Sequence, residues 1–244
     1  MTCKTRGNML KYEYEKSEVR TMEKQLYVFG DSILRGVIWD EAAGRYRFSK
    51  ALDWGRICAE KVRNLSKFGC TADRGAEIVK TTLAREGEDI ACAIVEYGGN
   101  DCDFDWEKVS EEPDAPHTPN TELSRFRQLY TDIINTLKER GIQPILMTLP
   151  PIDASRYLSW ITRTGLSRER ILKFLGDTQT IYRYQEMYSY AVSEIARRMN
   201  CLLIDVRSAF LKRRDCASLI CVDGIHPNER GQQLIVEELS RAFA

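Results

Sequence analysis

Leu26-Tyr27-Val28-Phe29-Gly30-Asp31-Ser32 decides how the rest of the chain is read. Four apolar residues in a row, with a β-branched and two aromatic side chains among them, have the composition of a short strand buried on both faces. Gly30 ends the run, and Ser32 lies at the turn beyond it. Open α/β sheets collect reactive groups beyond the carboxyl ends of their strands, so Ser32 stands where a nucleophile belongs.

Working outward, further β-type runs fall at 64–68, 90–97, 143–149 and 201–206, with the first at 25–30. Helical patterns lie between them at 52–62, 74–86, 121–140, 179–199 and 228–243. This alternation predicts an α/β protein with a parallel sheet covered on both faces. Leu123, Phe126, Leu129, Tyr130, Ile133, Ile134 and Leu137 recur at three- and four-residue spacing, which makes that segment an amphipathic helix; Gly141 is its natural C-terminal stop. Residues 1–24 carry many charges and no periodic apolar face, the pattern of a flexible extension ahead of one domain spanning 25–244.

The sequence contains 2 histidines, and one lies in Asp223-Gly224-Ile225-His226-Pro227. A carboxylate three residues before an imidazole can reach Nδ1 and leave Nε2 free to take a proton from a hydroxyl. Pro227 biases His226 toward extended backbone, and Asn228 is placed to cap the last helix.

Taken singly, these features have ordinary explanations: a turn serine, loop glycines, a structural Asp–His pair. Their joint order is informative. FGDSILRG (Phe29 to Gly36), NLSKFGCT (Asn64 to Thr71), GGND (Gly98 to Asp101) and DGIHP (Asp223 to Pro227) resemble, in sequence order, the four blocks of the SGNH/GDSL hydrolase family. Ile33 stands where the family name implies leucine, and the glycine block is the loosest match. The resemblance implies a three-layer α/β/α, flavodoxin-like fold with a central parallel sheet of five strands. It implies a serine esterase with Ser32 as nucleophile, His226 as base and Asp223 orienting it. The oxyanion would be met by the backbone N–H groups of Ser32 and Gly69 and by the amide of Asn100.

Composition sets the remaining expectations. Lysine plus arginine and aspartate plus glutamate each number 36 in 244 residues, so no global positive field draws in a phosphate backbone, and nucleic acid is not an expected partner. No apolar run approaches a transmembrane length, and the first residues lack a signal-peptide core; a cytoplasmic protein without membrane contact is expected. The 8 cysteines show neither a C-x-x-C pair nor zinc-ligand spacing, so free thiols and no structural metal are expected.

Two loops offer substrate contacts. Asp101, Asp103, Asp105 and Glu112 mimic an EF-hand spacing, but Trp106 occupies the position that needs glycine, so a solvated acidic loop is expected rather than calcium. His117, in a proline-rich stretch, is expected in solvent or against substrate. The basic, aromatic segment from Arg156 to Lys173 is helix-compatible and forms either a surface helix or a wall of the site, with Tyr157, Trp160 and Trp106 as candidate stacking platforms. The expected substrate is a small-molecule or oligosaccharide ester, an O-acetyl sugar being the leading case. No cofactor is needed for serine-based acyl transfer. Thioesterase or lysophospholipase-type activity, and a non-catalytic SGNH-fold binding module, are the competing functions.

Overall fold

The computed structural model describes residues 25–58, 61–85 and 90–243. The expected extension at 1–24 lies outside them. The described residues hold seven strands: β1 (Gln25–Gly30), β2 (Val37–Asp40), β3 (Arg45–Phe48), β4 (Lys61–Asn64), β5 (Ile90–Glu96), β6 (Gln143–Met147) and β7 (Leu202–Ile204). Five of them form a parallel sheet in the order β4-β1-β5-β6-β7, the flavodoxin-like order, while β2 and β3 form a separate antiparallel hairpin.

The run that opened the sequence becomes β1, flanked on both edges and covered on both faces. Its alternate side chains divide between two cores. Leu26 and Val28 pack with Ile94, Ile145, Met147 and Ile204 beneath α1 (Trp54–Ile57), α8 (Val206–Leu211) and α9 (Glu229–Phe243). Tyr27 and Phe29 face Val95 and Leu146 beneath α2 (Ala72–Arg85), α4 (Leu123–Glu139) and α7 (Gln179–Arg198). A third cluster joins α3 (Trp106–Glu111), α5 (Ala154–Thr162) and α6 (Arg168–Leu175) over the carboxyl edge of the sheet.

Local signals act as expected at two helix ends. Gly141 takes φ +70°, its N–H donates to Lys138 O and that of Ile142 to Leu137 O, which closes α4 in a Schellman motif. Asn228 Oδ1 accepts from the N–H groups of Arg230 and Gly231 and so caps α9.

The expected strand at 64–68 is displaced to 61–64, and the expected helix at 52–62 shrinks to Trp54–Ile57. Asn64 explains the shift. Its side chain accepts from Ser66 N and donates to Leu34 O, which ends the regular strand there, although Leu65 N and Lys67 N still donate to Val28 O and Gly30 O of β1. The basic segment after β6 is two helices, α5 and α6, separated by a break at Gly165 with φ +107°.

Candidate active site

Strand order brings the first three sequence blocks together. Because β1 lies between β4 and β5, the loops that follow these strands are neighbours, and they carry Ser32, Gly69 and Asn100. His226 arrives from the loop before α9. Its Nε2 lies 2.9 Å from Ser32 Oγ, and its Nδ1 lies 2.7 Å from Asp223 Oδ2. Asp223 is fully buried; Oδ1 accepts from the backbone N–H groups of Ile225 and His226, both at 3.1 Å. Burial pushes this carboxyl up, but hydrogen bonds from the His226 ring and the two amides outweigh it and hold the group below its ordinary value. Asp223 is therefore a fixed anion at neutral pH.

Gly224 joins this loop to α5. It takes φ +81°, its carbonyl accepts from Asp153 N at 2.8 Å, and a Cβ built there overlaps the amide nitrogen of Tyr157 and lies 2.6 Å from Asp153 O. Only glycine fits, because backbone rather than a flexible side chain occupies the space. Gly224→Ala is expected to cost about 2 kcal/mol or more, through left-handed strain plus overlap. A fall in melting temperature of roughly 5 °C, with a lower kcat, checks this; an unchanged melting curve contradicts it.

Among the described residues, the backbone N–H groups of Ser32 and Gly69 donate to no protein acceptor. Gly69 takes φ +68° with no atom within 4 Å of a built Cβ, so its backbone is open to a ligand. Asn100 is placed differently from a free donor: Nδ2 faces Asp31 Oδ2 at 3.1 Å and Cys70 O at 3.2 Å. These contacts fix the amide, and donation to an oxyanion requires sharing a hydrogen, most readily the one on the longer bond to Cys70 O. Beneath this loop Asp31 and Glu96 are both buried, and Asp31 N donates weakly to Glu96 Oε2 at 3.4 Å. Burial raises both carboxyls, and the charge of Asp31 raises Glu96 further.

Ser32, Gly69, Asn100 and His226 line one cavity of about 180 Å³. Its far side is apolar, with Phe104, Leu149, Ile152, Leu175 and Ile181 among the walls. Trp106 and Tyr157 also line it, but as anchored walls: Trp106 Nε1 donates to Asp103 Oδ1 at 2.8 Å and Tyr157 Oη to Asp103 Oδ2 at 2.6 Å. Both aromatic residues are under 9% exposed, so neither is an open stacking platform.

Trp160 is outside the cavity lining. It stands at the mouth, edge-on to Trp39 at 4.6 Å between ring centroids and 6.4 Å from Tyr46. His117 is likewise not a wall; its Nε2 pairs with Glu112 O at 2.7 Å and its ring meets Phe174 edge-on. The acids of the expected solvated loop diverge. Asp101 accepts from Ala72 N at the start of α2, Asp103 holds the two aromatics, and Asp105 caps α3 through Lys108 N. Asp101 and Asp103 are thus interior structural acceptors, which corrects the surface assignment for those two.

Two residues at the site were not anticipated. Tyr46, on β3, meets the His226 ring edge-on at 5.2 Å, and Phe68 stacks on it at 5.9 Å with 17° between the planes. Phe68 is 51% exposed, so it forms the outer rim. The signal for Tyr46 was aromatic alternation in Arg45-Tyr46-Arg47-Phe48 after Gly44, and that for Phe68 its place next to Gly69 in the glycine block.

The sheet order and the Ser32, Asn100 and His226 grouping define the SGNH class of α/β hydrolases. A model of the GDSL-like Lipase/Acylhydrolase family matches residues 28–234, and the chain belongs to that family and is an ester hydrolase. It is similar to GDSL esterase/lipase WDL1 of Oryza sativa subsp. japonica, 26% identical over 214 residues that cover 84% of this chain and 75% of the relative. A lipase/acylhydrolase from Enterococcus faecalis superposes with a TM-score of 0.61 at 20% identity, over 90% of this chain and 94% of that one. An acetyl xylan esterase superposes with a TM-score of 0.58 at 17% identity, over 90% and 100%. Among the described residues, no helix is long and apolar enough to cross a membrane.

Proposed function

We propose that the protein hydrolyses carboxylic esters through an acyl-enzyme on Ser32. His226 takes the hydroxyl proton as Ser32 Oγ attacks the ester carbonyl, then gives it to the leaving alcohol oxygen. Water, deprotonated by the same imidazole, attacks the acyl-enzyme, and the acid leaves with Ser32 restored. Asp223 holds the imidazole in the tautomer this needs. The N–H groups of Ser32 and Gly69 meet the developing oxyanion, with Asn100 as the third donor; one such donor is worth about 3 kcal/mol in comparable sites.

The observation that carries this reading is the 2.9 Å and 2.7 Å relay from Ser32 through His226 to Asp223, opening on a cavity with apolar depth. That depth favours an apolar acyl chain. A cavity of about 180 Å³ is larger than an acetyl group fills. The substrate reading therefore moves from O-acetyl sugars toward esters or thioesters of short to medium acyl chains. The aromatic rim of Phe68 and Tyr46 would receive the alcohol portion, a sugar ring included.

Aryl esters of straight-chain acids, from acetyl upward, test the assignment. kcat/KM is expected to rise by about three- to fourfold per methylene until the cavity is full, then to level off or fall. A maximum at acetyl would restore deacetylation as the preferred function. Absence of Ser32-dependent hydrolysis across the series would favour a binding module instead.

A further inference from the structure

Besides Asp31 and Glu96 beneath Ser32, the lining of the cavity carries one further carboxyl, that of Asp103, beside the apolar walls Phe104 and Trp106. Asp103 lies deep in the molecule, yet part of its surface stays accessible and it lines the cavity; the cavity is where that access opens. Its side-chain partners are neutral donors, Trp106 Nε1–H and Tyr157 Oη–H, one on each oxygen, and the backbone N–H of Phe104 is a third, also neutral, donor. Among the described residues no lysine or arginine pairs with it. Burial accordingly pushes its carboxyl up to about 6.

A structural staple between α3 and α5 explains part of this arrangement. It does not require a charge, because an asparagine could accept from Trp106 Nε1–H through its oxygen and donate through its NH₂ to a Tyr157 hydroxyl turned to accept. A carboxylate has about four acceptor sites, and the three donors here do not fill them. The unused capacity belongs to a buried anion without a counter-ion, beside the path that an acyl chain would take.

We propose that Asp103 is a specificity-determining residue, accepting a hydrogen bond from a donor group on the acyl chain, so that the preferred substrates are esters of hydroxy- or amino-substituted aliphatic acids. The proposal rests on the cavity being the acyl pocket. A plain chain strips water from the carboxylate and returns nothing, whereas a hydroxyl or ammonium replaces that water with a charge-assisted hydrogen bond. A site built to bond a substrate donor discriminates strongly against the analogue that lacks it, since the protein group is then left unpaired.

The test compares kcat/KM for aryl esters of hexanoic acid with those of its hydroxy and amino derivatives, the substituent walked from the third carbon to the end of the chain. At least one substituted isomer is expected to exceed the plain ester by about tenfold or more. In Asp103→Asn, which keeps an oxygen for Trp106 and an NH₂ to which the Tyr157 hydroxyl can accept but removes the charge, that ratio is expected to fall to about twofold or less. Whether the hydroxy or the amino series carries the gain identifies a neutral or a cationic donor.

A wild-type preference for the plain ester at every position would overturn the proposal, and so would a ratio that survives Asp103→Asn. The wild-type comparison decides even if the variant does not fold. Ser32-dependent hydrolysis without donor preference removes only the role of Asp103, while no hydrolysis of any member removes the acyl-pocket reading with it.

Discussion

Alanine at Ser32 is expected to lower kcat by about a millionfold, His226→Ala to reach a similar floor, and the double variant to fall no further. Ser32 Oγ and His226 Nε2 are 2.9 Å apart, so the base acts only through the hydroxyl and the hydroxyl is weak without the base. Two groups that act as one unit give strongly non-additive losses. Neither replacement leaves a charge unpaired in the core except through Asp223, whose Oδ1 keeps its two backbone donors. The folded protein should therefore survive, as an unchanged far-ultraviolet dichroism spectrum would show. Additive losses in the double variant would mean that the two side chains serve separate steps.

Asp223→Asn should cost about 10⁴-fold in kcat, as the same exchange does in a serine-protease triad. The amide oxygen can retain the bonds from Ile225 N and His226 N, so the loop keeps its shape. Its NH₂ group then faces His226 Nδ1, where the carboxylate oxygen had stood at 2.7 Å. A donor at that point makes Nδ1 an acceptor and moves the ring proton to Nε2, which can no longer take the proton of Ser32. The loss belongs in kcat, because the cavity walls are untouched; KM should change by only a few fold. A variant within tenfold of wild type would reduce Asp223 to a loop anchor.

The site was legible where chemistry is local or where strand order does the assembly. Leu26 to Phe29 could be read as a central strand because both faces are buried, and Asp223 reaches His226 within one turn of chain. Gly141 and Asn228 carry their signals within a few residues of the helices they end.

What the sequence hid depends on contacts between distant segments. Tyr46, Phe68, Trp160 and His226 form one aromatic group from four separate stretches of chain, two of them anchored on the β2–β3 hairpin or beside β4. The strands of that hairpin are four residues each; β2 is an apolar run without alternation and β3 is exposed and half arginine, so neither is long enough to announce itself. Trp106 and Tyr157 looked like open platforms because their shared partner, Asp103, is 54 residues from Tyr157. The same acid had been read with Asp101 and Asp105 by spacing alone; the approach of α5 gave each of the three a different task.

The most direct test of the account is labelling with a fluorophosphonate, which phosphonylates an activated serine, followed by peptide mass analysis and a parallel assay of ester hydrolysis. One label per chain on the peptide that contains Ser32 is predicted, with activity lost in proportion and no labelling in His226→Ala. Full hydrolytic activity in an enzyme left unlabelled, or a stoichiometric label on a residue other than Ser32, would contradict it.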